Sequence, residues 1–520
     1  MGYPFPEDDQ IVTKPQPHGR AAALKEPPRI DRRALLGKTA RLLASGSALL
    51  ILARSAKGIA IQLGNPPVPS VTFVSTTASA PWQSRPVRTD GWQWDDLDVQ
   101  ISLDSTNRAI EGFGACFNEL GWTSLKALGE SDRNTIFEEL FGPGKGANFT
   151  MCRMPVGAND FSRKWYSYDE TPDDFAMQHF SIANDLETLV PYIQSARKFN
   201  PDLRVWASPW SPPSWMKTNK HYAEVQQGPG LPPNGLRPDQ VGKEGSDSFI
   251  QEDRYFAAYA NYFGKFIDAY KQQGIRVGMV MPQNEFNSAQ PFPSCTWTPE
   301  GLARFLNLLG PEMEQRNVEL FFGTYERGNR ALLDRVMADP VARRYIKGVG
   351  VQWAGKNAIH SIRKEYPQLT VFQSEQECGN GKNEWSYAGY CWNLMRHYLR
   401  NNTTGYLYWN LSLEKGGRSQ WGWPQNSLVT VDVDARKYEF NYDYYVLKHV
   451  SHFVQPGAVR LETDGTFDNV LAFRNPDRSV AVILRNEGAR PLQVDIAING
   501  AKTNLKLEPD SLGTALIQST

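Results

Sequence analysis

Two glutamates, Glu285 and Glu375, stand 90 positions apart, and each closes a short apolar run: Met281-Pro282-Gln283-Asn284-Glu285 and Val371-Phe372-Gln373-Ser374-Glu375. Two carboxyls on opposing strands are what cleavage of a glycosidic bond requires. One must hold a proton for the leaving oxygen, and the other must be ionised to attack the anomeric carbon. A separation of about 5–5.5 Å makes the reaction retaining, and about 6.5–9.5 Å makes it inverting. Surroundings divide the roles: a poorly solvated carboxyl keeps its proton, and one beside a cation stays charged. Arg153, at the end of another apolar run, is the natural cationic partner for Glu375. Trp210 and Trp409 end two further runs and offer flat faces to a sugar ring. Taken singly, each glutamate reads as well as a polar strand end. The pair beside Asn284, Trp210 and Trp409 points to catalysis. Glu377, two residues beyond Glu375 and on the same face of a strand, is the rival nucleophile.

These side chains need a frame that converges them. Eight apolar runs (110–117, 149–156, 204–210, 277–285, 318–326, 348–353, 369–375 and 405–413) alternate with segments of helical period, such as 182–199, 253–273, 299–316 and 386–401. Continuous apolar runs suit strands buried on both faces, and eight such βα units predict an α/β fold, a (β/α)8 TIM barrel over 110–431. Catalytic groups of such a barrel sit at the C-terminal ends of its strands. The interval from Glu285 to Glu375 equals three βα units and assigns them to strands four and seven. An open doubly wound sheet is the alternative, since periodicity does not register closure. The polar stretch 217–251 reads as a loop inserted over the mouth. Beyond 432 the runs 470–474, 479–484, 492–496 and 514–517 are short and closely spaced, which predicts a side β-sandwich over 432–520. A strand at 99–103, within 97–109, is expected to join it.

Composition removes other classes. The 520 residues carry 56 basic and 56 acidic side chains, so no net charge draws the chain to nucleic acid. The five cysteines show no CxxC spacing, and the seven histidines include no HExxH. His449 and His452 could share a helical face, but no carboxylate or thiol partner follows them, and no metal site is expected. No phosphate-binding glycine loop is present. Residues 1–60 read as a leader, with Arg32-Arg33 ahead of an apolar run at 42–53 that resembles a bacterial twin-arginine export signal. That run is shorter than the ~20 residues a membrane span needs, so no stable span is expected after processing. Ala78-Ser79-Ala80 offers a cleavage site within a Pro/Ser/Thr-rich linker at 61–96. The expected location is periplasmic or extracellular.

Ordered motifs across residues 97 to 519 resemble glycoside hydrolase family 30, close to its glucosylceramidase type. They are Glu111-Gly112-Phe113-Gly114, Arg153-Met154-Pro155-Val156, Asn159-Asp160-Phe161-Ser162, Thr171-Pro172-Asp173-Asp174-Phe175, Ala207-Ser208-Pro209-Trp210-Ser211-Pro212-Pro213-Ser214-Trp215-Met216-Lys217, Asn284-Glu285 and Ser374-Glu375. The resemblance implies a barrel with a side sandwich and retaining hydrolysis, with Glu285 as acid/base and Glu375 as nucleophile. It implies that Asn284 bonds the sugar 2-hydroxyl, that Glu119 grips hydroxyls at the non-reducing end, that Trp210 and Trp409 wall the pocket, and that Asn426 serves a subsite. The chain departs from the family at Gln352-Trp353-Ala354, where Ala354 replaces a tyrosine that bonds the nucleophile; Tyr325 is the expected substitute. Phe286 stands where proline is common. These departures bear on sugar specificity.

The implied activity is hydrolysis of β-linked glucosides by double displacement. β-Xylosidase, β-fucosidase and endo-β-1,6-glucanase or galactanase activities are the alternatives within the family. A catalytically silent carbohydrate-binding protein is an alternative of another class, and a binder needs no such carboxyl pair. A lipid-surface protein would rest on residues 31–54 alone. The expected partner is a β-linked carbohydrate or glycoconjugate. No cofactor is expected, because side chains supply both charges.

Overall fold

The computed structural model describes residues 70–87, 97–499 and 501–518; the leader and part of the expected linker lie outside them. Eight parallel strands close into a barrel: β1 (Gly112–Cys116), β2 (Met151–Pro155), β3 (Arg204–Ser208), β4 (Val277–Val280), β5 (Glu319–Tyr325), β6 (Ile346–Gln352), β7 (Thr370–Glu375) and β8 (Gly405–Asn410). Pairing of β8 with β1, Gly405 with Gly112 through Tyr408 with Ala115, completes the ring and excludes the open sheet. Almost every strand residue is buried, which explains the continuous apolar runs. Met151, Trp206, Met279, Met281, Phe321, Phe372 and Leu407 fill the inside of the barrel. Closure is tight at β1: a Cβ on Gly114 would lie 1.8 Å from the Met151 carbonyl oxygen.

Helices cover the outside. The longest, Asp253–Gln272, turns Phe256, Tyr259, Phe263, Phe266 and Ile267 inward, the three-to-four-residue spacing of a core-facing stripe. Segment 217–251, expected as an insertion, runs irregularly between β3 and β4. It is pinned by a fully buried ion pair between Lys217 and Glu224 at 2.7 Å.

The sandwich is one nine-stranded sheet folded on itself. Val99–Ser102 joins it, between Leu492–Ile498 and Val459–Asp464. The structure corrects two boundaries. Within the stretch expected to be a linker, Val71–Thr76 pairs residue for residue with 512–517 and turns back into Gln83–Arg85. Its Val-Thr-Phe-Val-Ser-Thr sequence suits a strand, and the surrounding prolines and serines hid it. Thr77–Ala80 form the turn, so a cut at Ala78-Ser79-Ala80 would remove the strand.

The second correction is at 432. The C-terminal part of the sandwich begins at Val459; before it come a hairpin, Val429–Asp432 with Lys437–Phe440, and helix Tyr442–Ser451. Tyr444, Val446, Leu447 and Val450 of that helix are all buried, because both domains pack on it. His449 bonds Thr514 and Thr76 at 2.8 Å each, and burial lowers its pKa to about 3. His452 bonds the Gly146 carbonyl. Both imidazoles therefore join elements, and among the described residues no cluster suits a metal ion.

A chain starting at residue 81 loses the burial of Phe73 and Val74 and the Thr76 bond to His449. At about 1.5–3 kcal/mol for each large apolar side chain, it should be less stable by about 3–6 kcal/mol than one starting at residue 68. Urea denaturation measures this, and coincident midpoints would show the strand to be dispensable.

Candidate active site

The side chains that could do chemistry converge at the C-terminal end of the barrel. Arg153, on β2, is completely buried and organises them. Its guanidinium donates to Glu375 Oε2 at 2.6 Å, to Asn284 Oδ1 at 2.7 Å and to Ser208 Oγ at 2.9 Å. It lies 4.3 Å from the ring centre of Trp210 and 5.4 Å from that of Trp409. Those rings stack on each other, 5.2 Å apart and 28° from parallel. One cation thus fixes a carboxylate, an amide and an aromatic wall.

Past β4 the chain leaves regular pairing. Asn284 N–H donates to the Pro209 carbonyl at 2.7 Å, and Glu285 N–H to Thr324 Oγ1 at 2.9 Å. Glu285 is held at φ +46°, a left-handed conformation unusual for glutamate, and Ser288 N–H closes the turn onto its carbonyl at 2.9 Å. Such backbone persists where its surroundings over-determine it, which is common at functional sites. Asn284 Oδ1 accepts from Arg153, Thr324 and Gln352. Its amide nitrogen is left as a donor for a ligand.

Gln352, at the end of β6, reaches both glutamates. Its Nε2 donates to Glu285 Oε1 at 3.2 Å, and its Oε1 accepts from Ser374 Oγ at 2.9 Å. Gln352 and Trp353 also stabilise the ionised form of Glu375. Burial raises the pKa of both carboxyls, and the neighbours then separate them. Around Glu285, the charges of Glu375, Glu326 and Asp160 add to the burial, opposed by the Gln352 amide, and hold its pKa well above the carboxylate range. At Glu375, Arg153, Trp353 and Gln352 oppose the burial. Glu285 is thus pushed up further than Glu375, whose neighbours favour its ionised form. This is the division an acid and a nucleophile need.

Several expected residues serve elsewhere. Glu119 is fully buried and accepts from Arg163 Nε, Asn184 and Thr188 on one oxygen and from Arg163 N–H on the other. It anchors a loop and has no surface exposed to a ligand. Asn426 accepts from the backbone N–H groups of Gly381 and Asn383, bracing the loop after β7. Tyr325 turns its hydroxyl to the Asn329 carbonyl and packs on Phe286 and Phe322, so it does not support Glu375. Glu377 pairs with Lys356 at 3.1 Å and with the Tyr390 hydroxyl. β7 ends at Glu375, and a register shift between Gln373 and Glu375 breaks the alternation that would have aligned Glu377 with it.

Sequence reasoning missed Asp160. Asn159 Oδ1 accepts from Phe161 N–H at 2.8 Å, a tight turn that holds the intervening residue. Asp160 is buried near Glu375 and beside the Trp409 indole, whose N–H favours its ionised form, yet neither its Oδ1 nor the Trp409 Nε1 closes a well-formed hydrogen bond. Buried polar atoms without partners are costly, and a hydroxylated ligand would satisfy these two. The signal was available, because Asn159-Asp160-Phe161-Ser162 is one of the shared motifs. Gln352 and Trp353 stood in the segment noted for Ala354, but their own contacts with the glutamates emerge only in the folded barrel.

Residues 110–454 match the glycosyl hydrolase family 30 TIM-barrel domain, and residues 457–515 match the glycosyl hydrolase family 30 beta sandwich domain. Putative glucosylceramidase 1 of Caenorhabditis elegans is 28% identical over 429 residues, 77% of this chain and 78% of that protein. Endo-1,6-beta-D-glucanase neg1 of Aspergillus fumigatus is 24% identical over 459 residues, 84% of this chain and 91% of that protein. The crystal structure of SrfJ from Salmonella typhimurium superposes with a TM-score of 0.75 at 21% identity, covering 87% of this chain and 100% of that one, a likeness of fold.

Replacing Arg153 by Met should leave Glu375 buried without its cation. Breaking a buried pair from one side costs about 3–5 kcal/mol. Thermal unfolding of Arg153→Met should reveal that loss near neutral pH and a smaller one under acidic conditions, where Glu375 is protonated. An unchanged melting temperature at neutral pH would refute the central place given to this pair.

Proposed function

We propose a β-glucoside as the substrate of this chain, which belongs to glycosyl hydrolase family 30 and is a retaining β-glycosidase. In this reading Glu375 attacks the anomeric carbon while Glu285 passes its proton to the departing oxygen, so the glycosidic bond breaks as an ester to Glu375 forms. Glu285, now ionised, takes a proton from water, which attacks the same carbon and releases sugar and carboxylate. The amide nitrogen of Asn284 donates to the 2-hydroxyl, a contact that strengthens as positive charge develops on the ring.

The observation that carries the substrate reading is the unmet pair Asp160 Oδ1 and Trp409 Nε1 beside the Trp210–Trp409 wall. One accepts a proton and the other donates one, which suits a hydroxyl at the far edge of a pyranose. The worm relative named a glucosylceramidase supports a glucosyl unit. A β-1,6-linked glucan is the second reading, favoured by aromatic rings carried on the loops around the mouth. Trp165 stacks on Tyr222 and lies 4.7 Å from Trp421, and Trp423 packs on Phe292. Flat faces of this kind suit a leaving group that is itself a sugar. The fungal relative named an endo-1,6-beta-D-glucanase supports it.

Activity of a chain starting at residue 68 on aryl β-glucoside, xyloside, fucoside and galactoside, on β-1,6-glucan and on glucosylceramide decides between them. The glucoside should be preferred, and Glu375→Gln should abolish its turnover. Glu285→Gln should cost about 10²–10⁴-fold on a poor leaving group. A preference for xyloside or fucoside would overturn the glucoside reading, and turnover surviving Glu375→Gln would overturn the nucleophile. Export by the paired-arginine leader is proposed alongside, supported by Arg32-Arg33 and the apolar run that follows. An Arg32→Lys, Arg33→Lys chain should then remain inside a bacterial host.

A further inference from the structure

Of the buried carboxyls that the mechanism leaves unused, one acts directly on Glu285. Glu326 follows β5 directly, is 7% exposed, and sits behind the turn that carries Glu285. Its Oε1 accepts from Ser288 Oγ at 2.8 Å and pairs with Arg327 Nε at 3.2 Å. Ser288 also donates its backbone N–H to the Glu285 carbonyl, so one residue ties Glu326 to the turn. Arg327 clamps the same turn through the Asn287 carbonyl at 2.7 Å and pairs with Glu244 of the inserted segment at 3.1 Å. Glu326 Oε2 has no hydrogen-bond partner. A buried carboxylate with one oxygen unmet contributes little to stability and calls for another role.

We propose that Glu326 is a positioning residue for the acid/base, placing a fixed negative charge behind the 285–288 turn so that Glu285 retains its proton until the glycosidic bond breaks. The proposal rests on Glu285 being the acid/base. The charged and titratable groups around Glu285 are few: Glu375 from β7 with Arg153 behind it, Asp160 from the loop after β2, and Glu326 with Arg327 after β5. Glu375 loses its charge when it becomes the glycosyl ester, so its influence disappears during the reaction. Glu326 takes no part in bond making, and its charge persists through both steps. Burial, opposed by Arg327 and the Ser288 hydroxyl, moves its own pKa to about 6. Glu326 is therefore ionised above that pH, where an ordinary acid would already have lost its proton.

The test compares the pH dependence of kcat/KM for two aryl glucosides: phenyl glucoside, whose departure needs a proton, and dinitrophenyl glucoside, whose departure does not. In Glu326→Gln the alkaline limb for the phenyl glucoside should move down by about one pH unit, the shift expected on losing a nearby like charge. The loss should be confined to that substrate. Glu326→Asp keeps the charge and should keep the limb at its wild-type position. A limb that stays in place in Glu326→Gln, or an equal decline on both substrates at every pH, overturns the proposal. If the Gln variant does not fold, Glu326→Ser carries the same comparison. Glu285→Ala separates this failure from failure of the underlying reading. If Glu285 is not the acid, that variant loses both substrates alike; if it is, the phenyl glucoside suffers selectively whatever Glu326 does.

Discussion

The site depends on a single buried guanidinium. Arg153 has no access to solvent, and removing such a group from water costs several kcal/mol before any partner is met. Its partners recover that cost: Glu375, Asn284 and Ser208 take its N–H groups, and Trp210 and Trp409 lie against it. An ion pair of this kind is a poor way to stabilise a fold, because apolar residues of similar volume often do as well. Its value here is geometric. A planar fork with fixed N–H directions sets the carboxylate and the amide in one relation, which a lysine could not do.

The asymmetry between the glutamates follows from where that cation lies. Both carboxyls are buried at the mouth of the barrel, and burial raises both pKa values. Arg153 contacts Glu375 and not Glu285, whose carboxyl accepts from the neutral amides of Gln290 and Gln352. Neutral donors steady an ionised carboxylate when it forms without fixing it in that state. A retaining acid/base needs this latitude, since it must give up a proton in one step and regain one in the next. Gln352 adds a constraint of its own. It touches Glu285, Asn284 and Ser374, so displacement of Glu285 is felt at the end of β7.

Much of this frame was legible in the sequence, for identifiable reasons. Strands buried on both faces leave continuous apolar runs, and their spacing pointed to strands four and seven for the two glutamates; Glu375 ends β7, and Glu285 lies in the turn beyond β4. The Arg153–Glu375 pairing followed from charge alone and appears as a 2.6 Å contact. Failures occurred where a local pattern was ambiguous or a role depended on three-dimensional packing. Val71–Thr76 was hidden by the prolines and serines around it, and Tyr442–Ser451 by burial against two domains at once. Glu119 occupied a plausible motif position, yet Arg163, Asn184 and Thr188 come from 44, 65 and 69 residues away to bond its Oε1. Asp160 lay in a recognised motif with nothing local to distinguish it from a turn residue. Its meaning comes from the unpaired atoms around it.

The joint between barrel and sandwich shows why such a site needs more than a barrel. Tyr442–Ser451 packs on the barrel and offers His449 to Thr76 and Thr514 of the sandwich. The same helix bonds back to the barrel through Ser451 to the Ala147 carbonyl and Lys448 to Glu139. Ala147 lies just before β2, the strand that carries Arg153. The sandwich therefore buttresses the base of the strand whose far end holds the guanidinium. A displacement of 1 Å in a catalytic group can cost about a hundredfold in rate, and a rigid backing at the opposite end of the strand guards against it. Deprotonated at neutral pH by its burial, His449 supplies one donor and one acceptor to two threonines without adding charge to the joint. Polar bonding can then tie the two domains together without imposing another field on the paired glutamates.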